Sequence, residues 1–382
     1  MEDCQFELLD EKYELMEKST KTYFENLDGL RAIAAIAVIM THLSYFIEAK
    51  TSLGTLVKGV ISVGGMGGKL GVIFFFILSG FLITYLLFEE REKTGGVNIG
   101  KFYLRRLLRI WPLYFLTLIF GFWFFPLFLE TKHEIASPLM YSLFLANFDH
   151  ILNGFPTVSI LGVHWSVCVE EQFYLIWPLL FVWMKKKMLF IIGVIGFILL
   201  SQFYFVSSAI HYQGGEYHLI SCFKYLCIGA LVAFFAFHHR SYIQSFISQI
   251  PKWFSFLFYA SSFCFLLVQH KLFGHAPWYK MMYDVVPVTL FVYVIIDQNF
   301  STNSLFKIGR IKLLTWLGKI SYGLYLTHMI ALNSVVYFLK EPSENLSVLF
   351  SGTLLISILL SYLSYTYFER YFLSFKEKFS RI

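Results

Sequence analysis

The chain has 382 residues, of which 57% are hydrophobic, 20% aromatic and only 15% charged. Soluble globular domains carry about 25% charged residues, so this composition excludes an ordinary soluble protein. The net charge of +6 does not indicate a nucleic-acid partner. The basic residues lie in short clusters between apolar runs, as they do in membrane proteins that follow the positive-inside rule.

Residues 1–25 are polar and acid-rich and precede the first apolar run, so they do not resemble a cleavable signal peptide. We interpret them as an acidic cytoplasmic N-terminal segment. A transmembrane domain is predicted over 26–370, and a basic cytoplasmic tail over 371–382.

Apolar runs long enough to cross a bilayer recur along the rest of the chain. They predict an all-α polytopic membrane protein with about ten transmembrane helices. Between the third and fourth runs, a short or re-entrant helix is expected over 138–148 and a loop over 149–163. The predicted spans are 31–47, 68–88, 110–129, 166–184, 188–206, 219–237, 253–269, 280–297, 315–338 and 347–369. Lysines and arginines concentrate in the segments that share one side with residues 1–25, and this asymmetry predicts that both termini are cytoplasmic.

The cysteines are odd in number, most lie in or near apolar runs, and none forms a CxxC pair. We therefore expect no disulfide framework and no metal site. The cysteines are Cys4, Cys168, Cys222, Cys227 and Cys264.

The first span carries Arg31 at its start and His42 near its end, eleven residues apart. This spacing is about 1100° of helix, so the two side chains share a face and lie about 16 Å apart along the axis. Ala34, Ala35 and Val38 lie on that face, where small side chains allow close helix packing or leave room for a channel. Each ionisable residue alone also fits an interfacial position, but intramembrane charges are more often functional.

Arg106 and Arg109 are three residues apart and lie side by side on a helix. Paired guanidinium groups suit phosphates, although ordinary positive-inside topology also explains them. Glu170 and Glu171 begin the fourth span, where a carboxylate also favours a helix N-terminus. In the predicted topology Glu170 and His42 lie at similar depth, so we expect them to form an acid/base pair.

Five motifs in this order resemble the integral-membrane acyltransferase-3 family over about residues 26–370. They are Arg31 with His42, FFILSGF at 75–81, RLLR at 106–109, SVCVEEQFY at 166–174 and SYGLYLTH at 321–328. The printed sequence ends soon after the tenth predicted span. We therefore expect no appended esterase-like domain of the kind that some members carry.

The resemblance implies an enzyme that moves an acyl group, expected to be acetyl, from cytosolic acyl-CoA to a hydroxyl. The acceptor would be a glycan or lipid-linked sugar at the extracytoplasmic side, as in O-acetylation of cell-envelope polysaccharide. No cofactor would be bound; acyl-CoA, expected to be acetyl-CoA, would be the donor substrate, and membrane lipid would surround the protein. The implied location is a bacterial inner membrane.

The resemblance also implies roles for residues. His42 would act as catalytic base with Glu170 orienting it, or would carry the acyl group transiently. Arg106 and Arg109 would bind acyl-CoA phosphates, with the pantetheine arm along the small-residue face of the first span. Supporting roles are expected for Arg31, Asp28, Ser79, Ser166, Tyr174 and His328.

The chain departs from the family pattern at a few positions. Val167 stands where leucine is usual, Ile73 where many members have aspartate, and Cys222 in a region that often carries arginine, two residues before Lys224. The competing interpretation is a transporter or scramblase of an anionic lipid or sugar, with His42, Glu170 and Arg31 as an intramembrane relay. A third interpretation is that the protein is a structural subunit of an envelope complex.

Overall fold

The computed structural model describes residues 23–50, 55–128, 134–211, 215–273, 283–339, 345–376 and 379. The described residues form helices and connections without a β-strand, so the predicted all-α class is confirmed. The α-helices of five or more residues are α1 (Glu25–Lys50), α2 (Thr55–Thr94), α3 (Ile99–Ile119), α4 (Pro138–Ser142), α5 (Ala146–Asn153), α6 (His164–Trp183), α7 (Lys187–His211), α8 (Leu219–His238), α9 (Arg240–Gln249), α10 (Lys252–Phe273), α11 (Val285–Phe300), α12 (Lys312–Lys319), α13 (Ser321–Leu339), α14 (Leu346–Leu363) and α15 (Arg370–Lys376).

Eight helical stretches within the described residues are long and apolar enough to cross a membrane. They confirm a polytopic membrane protein. The other two predicted spans correspond to α6 and to the shorter apolar helix Val285–Phe300. The cytoplasmic location of both termini stays a prediction.

Helix α3 begins before the predicted third span, which was expected to start at residue 110. Asn98 caps it by accepting a hydrogen bond from the Lys101 backbone N–H. The arginines that were expected at the edge of the membrane therefore lie within the helix. Hydropathy underestimates the length of such a helix, because an arginine can direct its charge into a polar cavity while its stem packs against apolar neighbours.

Glycines bring α2 into close contact with the helices on either side. A Cβ added at Gly71 would lie 2.8 Å from the Ala34 carbonyl oxygen of α1. A Cβ added at Gly80 would lie 1.9 Å from the Leu226 carbonyl oxygen of α8. Because only glycine permits so close an approach, α1, α2 and α8 pack as one layer. The Ser79-Gly80 pair, in the middle of the predicted second span, thus lies at a tight helix contact.

The segment between the third and fourth predicted spans is more helical than expected. The predicted loop over 149–163 contains the end of α5 and a 3₁₀ turn at Ser159–Val163. The Glu134 carboxylate accepts hydrogen bonds from the backbone N–H groups of Thr157 and Val158. These bonds fix the segment over the N-terminal end of α6.

Candidate functional site

Two cavities of similar size lie between the packed helices. The first, about 350 Å³, is called here the arginine cavity because Arg31, Arg106 and Arg109 line it. The second, about 380 Å³, is called the histidine cavity because His42 lines it. Both volumes fall in the range of small-molecule sites. Most of the predicted site residues line the arginine cavity: Asp28, Arg31, Ser79, Arg106, Arg109, Ser166, Glu170 and Tyr174.

Asp28 fixes Arg31 at the wall of the arginine cavity. The Arg31 Nη1 donates to Asp28 Oδ1 at 2.7 Å, one turn away on α1. The Tyr23 hydroxyl donates to the other carboxylate oxygen. Asp28 is buried, so the pair holds the guanidinium in one orientation instead of leaving it mobile.

Arg106 reaches the same cavity from α3. Its guanidinium lies over the rings of Phe102 and Tyr174, with the carbon 5.8 Å and 5.7 Å from the ring centroids. Its Nε atom is buried and has no hydrogen-bond partner. A buried charged donor without a partner is costly, so this atom is suited to an anionic ligand that would satisfy it.

Glu170 lies in the arginine cavity and not beside His42. It accepts hydrogen bonds from the Ser79 hydroxyl at 2.7 Å and the Tyr174 hydroxyl at 3.1 Å. The expected contact between His42 and Glu170 is therefore wrong. Two residues at the same depth meet only if each helix is rotated about its axis so that they face each other. Helix α6 is rotated so that Glu170 faces Ser79 of α2. The catalytic role proposed for each residue stays a prediction.

His42 pairs instead with His328 of α13. The His42 Nδ1 lies 3.2 Å from His328 Nε2 and 3.0 Å from the Val38 carbonyl oxygen. His328 is fully buried, whereas His42 is half-buried at the wall of the histidine cavity. The motif at 321–328 singled out His328, but no spacing rule links residues 286 positions apart.

The rest of the histidine cavity combines an ion pair with aromatic rings. Lys69 Nζ lies 2.8 Å from the Glu216 carboxylate and 4.6 Å from the centroid of the Tyr283 ring. Trp165 and Tyr217 meet edge to face with centroids 4.9 Å apart. The sequence interpretation missed these groups, although a lysine inside an apolar helix is a recognisable signal.

Three side chains line both cavities and form the wall between them: Val72, Phe76 and Tyr325. The hydroxyls of Tyr325 and Ser166 lie 2.6 Å apart, which anchors the wall to α6. Ala34 and Ala35 are buried and line neither cavity. On the same face, Val38 lines the histidine cavity and Ala34 packs against Gly71 of α2, so a ligand arm along the small-residue face of α1 stays a prediction.

The positions that depart from the family pattern are divided between the two cavities. Val167 lines the arginine cavity, whereas Ile73 and Cys222 line the histidine cavity. Lys224 is buried and forms an ion pair with Asp284 at 2.6 Å, and Asp284 also accepts a hydrogen bond from the Tyr225 hydroxyl. Breaking one partner of such a pair leaves an uncompensated buried charge, so Lys224 supports the cavity wall.

Comparison with known proteins identifies the fold that holds these cavities. The model of the acyltransferase domain family matches residues 24–366. The chain belongs to this family. Its similarity to the peptidoglycan O-acetyltransferase OatA of Listeria monocytogenes is 29% identity, covering 94% of this chain and 58% of that protein.

Two other relatives share the same part of the chain. A Staphylococcus aureus strain COL protein that is provisionally named an O-acetyltransferase is 27% identical, covering 91% of this chain and 57% of that protein. YrhL of Bacillus subtilis strain 168, provisionally named a peptidoglycan O-acetyltransferase, is 27% identical over 91% of this chain and 54% of its own. The chain thus spans little more than half the length of these relatives. No solved structure matches it.

Proposed function

We propose that the protein transfers an acetyl group from acyl-CoA, bound in the arginine cavity, to a glycan hydroxyl in the histidine cavity. The observation that carries this proposal is the pair of cavities with different chemistry on either side of one wall. With the N-terminus in the cytoplasm, the arginine cavity faces the cytosol, where acyl-CoA is made. The histidine cavity then faces the extracytoplasmic side of the bacterial inner membrane.

The charge of the arginine cavity supports an anionic donor. Three arginines and two carboxylates line it, leaving a net positive lining. The buried Nε of Arg106 without a partner suits a phosphate oxygen of CoA. The thioester arm would then extend past Phe76 and Tyr325 toward His42.

The histidine cavity supports a sugar acceptor. Its ion pair is internally neutralised, and its aromatic rings offer stacking surfaces beside hydroxyl and amine donors. We propose that the acceptor is peptidoglycan or a lipid-linked precursor of a similar glycan. The names of two relatives as peptidoglycan O-acetyltransferases support this choice.

In the proposed reaction His42 removes the proton from the acceptor hydroxyl as its oxygen attacks the thioester carbonyl. The C–S bond then breaks, the acetyl group is left as an ester on the glycan, and the thiolate of CoA takes up a proton. Transfer through an acyl-His42 intermediate gives the same products in two steps. Arg31 would stabilise negative charge on the donor.

The test measures base-labile ester on surface glycan in cells that lack the protein. The cells are complemented with wild type, His42→Ala or Arg106→Ala, and expression and membrane insertion are checked for each. His238→Ala and Arg91→Ala serve as matched controls, because neither residue lines either cavity. We expect wild type and both controls to restore the ester and the two cavity variants to fail.

An equal ester level in all strains would exclude surface glycan as the acceptor. Membranes supplied with labelled acyl-CoA separate enzyme from transporter, because only an acyltransferase consumes the donor and leaves the label on the glycan.

A further inference from the structure

The two histidines that meet at the histidine cavity come from opposite ends of the chain. His42 on α1 and His328 on α13 have ring centroids 5.0 Å apart at an interplanar angle of 48°. Their facing nitrogens are 3.2 Å apart, which is within hydrogen-bonding distance. One nitrogen must therefore donate and the other accept, and the surrounding carbonyl groups decide which.

The hydrogen on His328 is assigned by its own helix. Its Nδ1 lies 2.7 Å from the Tyr325 carbonyl oxygen and 3.1 Å from that of Leu324. A carbonyl oxygen only accepts, so Nδ1 carries the hydrogen. In the neutral imidazole the Nε2 of His328 is then an acceptor, and it points at His42.

The same reasoning assigns the hydrogen on His42. Its Nδ1 faces two acceptors, the Val38 carbonyl oxygen at 3.0 Å and His328 Nε2 at 3.2 Å. A lone pair on Nδ1 would be repelled by both, so Nδ1 carries the hydrogen and shares it between them. The lone pair of neutral His42 is therefore on Nε2.

We propose that His328 is a positioning residue that holds His42 in the tautomer whose Nε2 accepts a proton. The inference rests on the proposed function for the reaction in which that proton moves. The relay runs from the Tyr325 carbonyl through the His328 ring to His42 Nδ1. When Nε2 of His42 takes the acceptor proton, the resulting imidazolium donates from Nδ1 to His328 in a charge-assisted hydrogen bond.

This arrangement replaces the carboxylate that usually orients a catalytic histidine. None of the described carboxylates hydrogen-bonds to His42. The charged pair in the same cavity, Lys69 with Glu216, is engaged internally at 2.8 Å. A neutral partner suits the interior, because it adds no buried charge that would need compensation.

The first test compares His328→Leu with His328→Gln in purified protein in lipid nanodiscs. Leucine removes the acceptor, whereas the glutamine carbonyl oxygen can still accept from His42 Nδ1. General-base catalysis contributes about 10²–10⁴-fold, so we expect His328→Leu to lower kcat by about 10- to 100-fold with both KM values unchanged. His328→Gln should recover most of the loss.

His238→Leu is the matched control, because His238 also contacts its i−4 carbonyl, at 3.1 Å from Phe234, but lines neither cavity. Its kcat should equal that of wild type. The proposal is overturned if His328→Leu retains wild-type kcat, or if glutamine is as damaging as leucine.

The second test reads the tautomer without any reaction. Solid-state ¹⁵N spectra of histidine-labelled protein, with the His42 signals assigned by difference from His42→Gln, distinguish a protonated Nδ1 from a protonated Nε2. We expect Nδ1–H in wild type and His328→Gln, and loss of that preference in His328→Leu. Nε2–H in wild type would overturn the relay. A correct tautomer in protein that consumes no acyl-CoA would instead leave the relay standing and refute the proposed function.

Discussion

The arginine and histidine cavities have nearly equal volumes, about 350 and 380 Å³, but opposite linings. The arginine cavity has three arginines, and the buried Nε of one of them, Arg106, has no hydrogen-bond partner. The histidine cavity has an ion pair without net charge among aromatic rings. Size alone would therefore assign the same ligand to both. In the proposed function this difference in charge separates the site of an anionic donor from that of a neutral acceptor, and each prediction below tests that separation on one side.

The largest effect is expected at the arginine cavity. Charged hydrogen bonds contribute about 1.5–3 kcal/mol, so Arg106→Gln should lower kcat/KM for acyl-CoA by about 10- to 100-fold. The acceptor KM should not change. Initial-rate kinetics with both substrates varied measure this.

Arg91→Gln is the control, since Arg91 also lies against a ring, 4.0 Å from the Phe181 centroid, but outside both cavities. A change in acceptor KM in Arg106→Gln, with the donor unaffected, would contradict the assignment of the two cavities.

A smaller effect is expected at the wall between them. Phe76→Ala should let water reach the donor, so acyl-CoA would be hydrolysed several-fold faster without acceptor while ester formation falls. Release of CoA with and without acceptor measures this uncoupling.

Phe81→Ala controls for lost packing, because Phe81 is fully buried on the same helix and lines neither cavity. Both variants should lose about 3–5 kcal/mol of stability. Equal uncoupling in the two would show that loosened packing, and not the wall, is responsible.

The smallest effect is expected at the ion pair of the histidine cavity. Lys69 and Glu216 are about half exposed, with side-chain exposures of 49% and 45%. Exposed pairs contribute about 0–1 kcal/mol, so Lys69→Met should raise the acceptor KM by at most about 5-fold.

Lys93→Met, at the other end of α2, removes an ion pair with Glu89 that lies outside both cavities, and it should leave both KM values unchanged. If the KM of the donor rises in Lys69→Met, the donor binds in the histidine cavity, which would contradict the proposed assignment of the two cavities.

Much of the fold was predictable because apolar runs of membrane length leave few alternatives to helix. The class and the approximate helix positions followed from that constraint. Helix α3 extended earlier than its hydropathy indicated, since the stretch around Arg106 is amphipathic rather than apolar. Orientation relative to the membrane is a separate property, which the charge asymmetry alone predicts.

The site was only partly predictable. The motifs singled out Arg31, Arg106 and Glu170, and all three line one cavity, although Glu170 was predicted to lie beside His42 and away from the arginines. The partner of His42 was predicted wrongly, because depth along a helix can be counted from the sequence but helix rotation cannot. His328 lies 286 residues away, so its contact depends on how α1 and α13 pack. The wall residue Phe76 carries no chemical signal in its sequence context.

The wall of Val72, Phe76 and Tyr325 also has an electrical consequence. In the proposed orientation the two cavities approach the wall from opposite faces of the membrane, so we expect the transmembrane voltage to fall mainly across this thin layer. About 100 mV corresponds to about 2.3 kcal/mol for each elementary charge that crosses. Apolar side chains at a constriction resist wetting and so block ions. An uncharged thioester would meet no such barrier, so in the proposed function the layer would pass an acyl group while the membrane stays insulated.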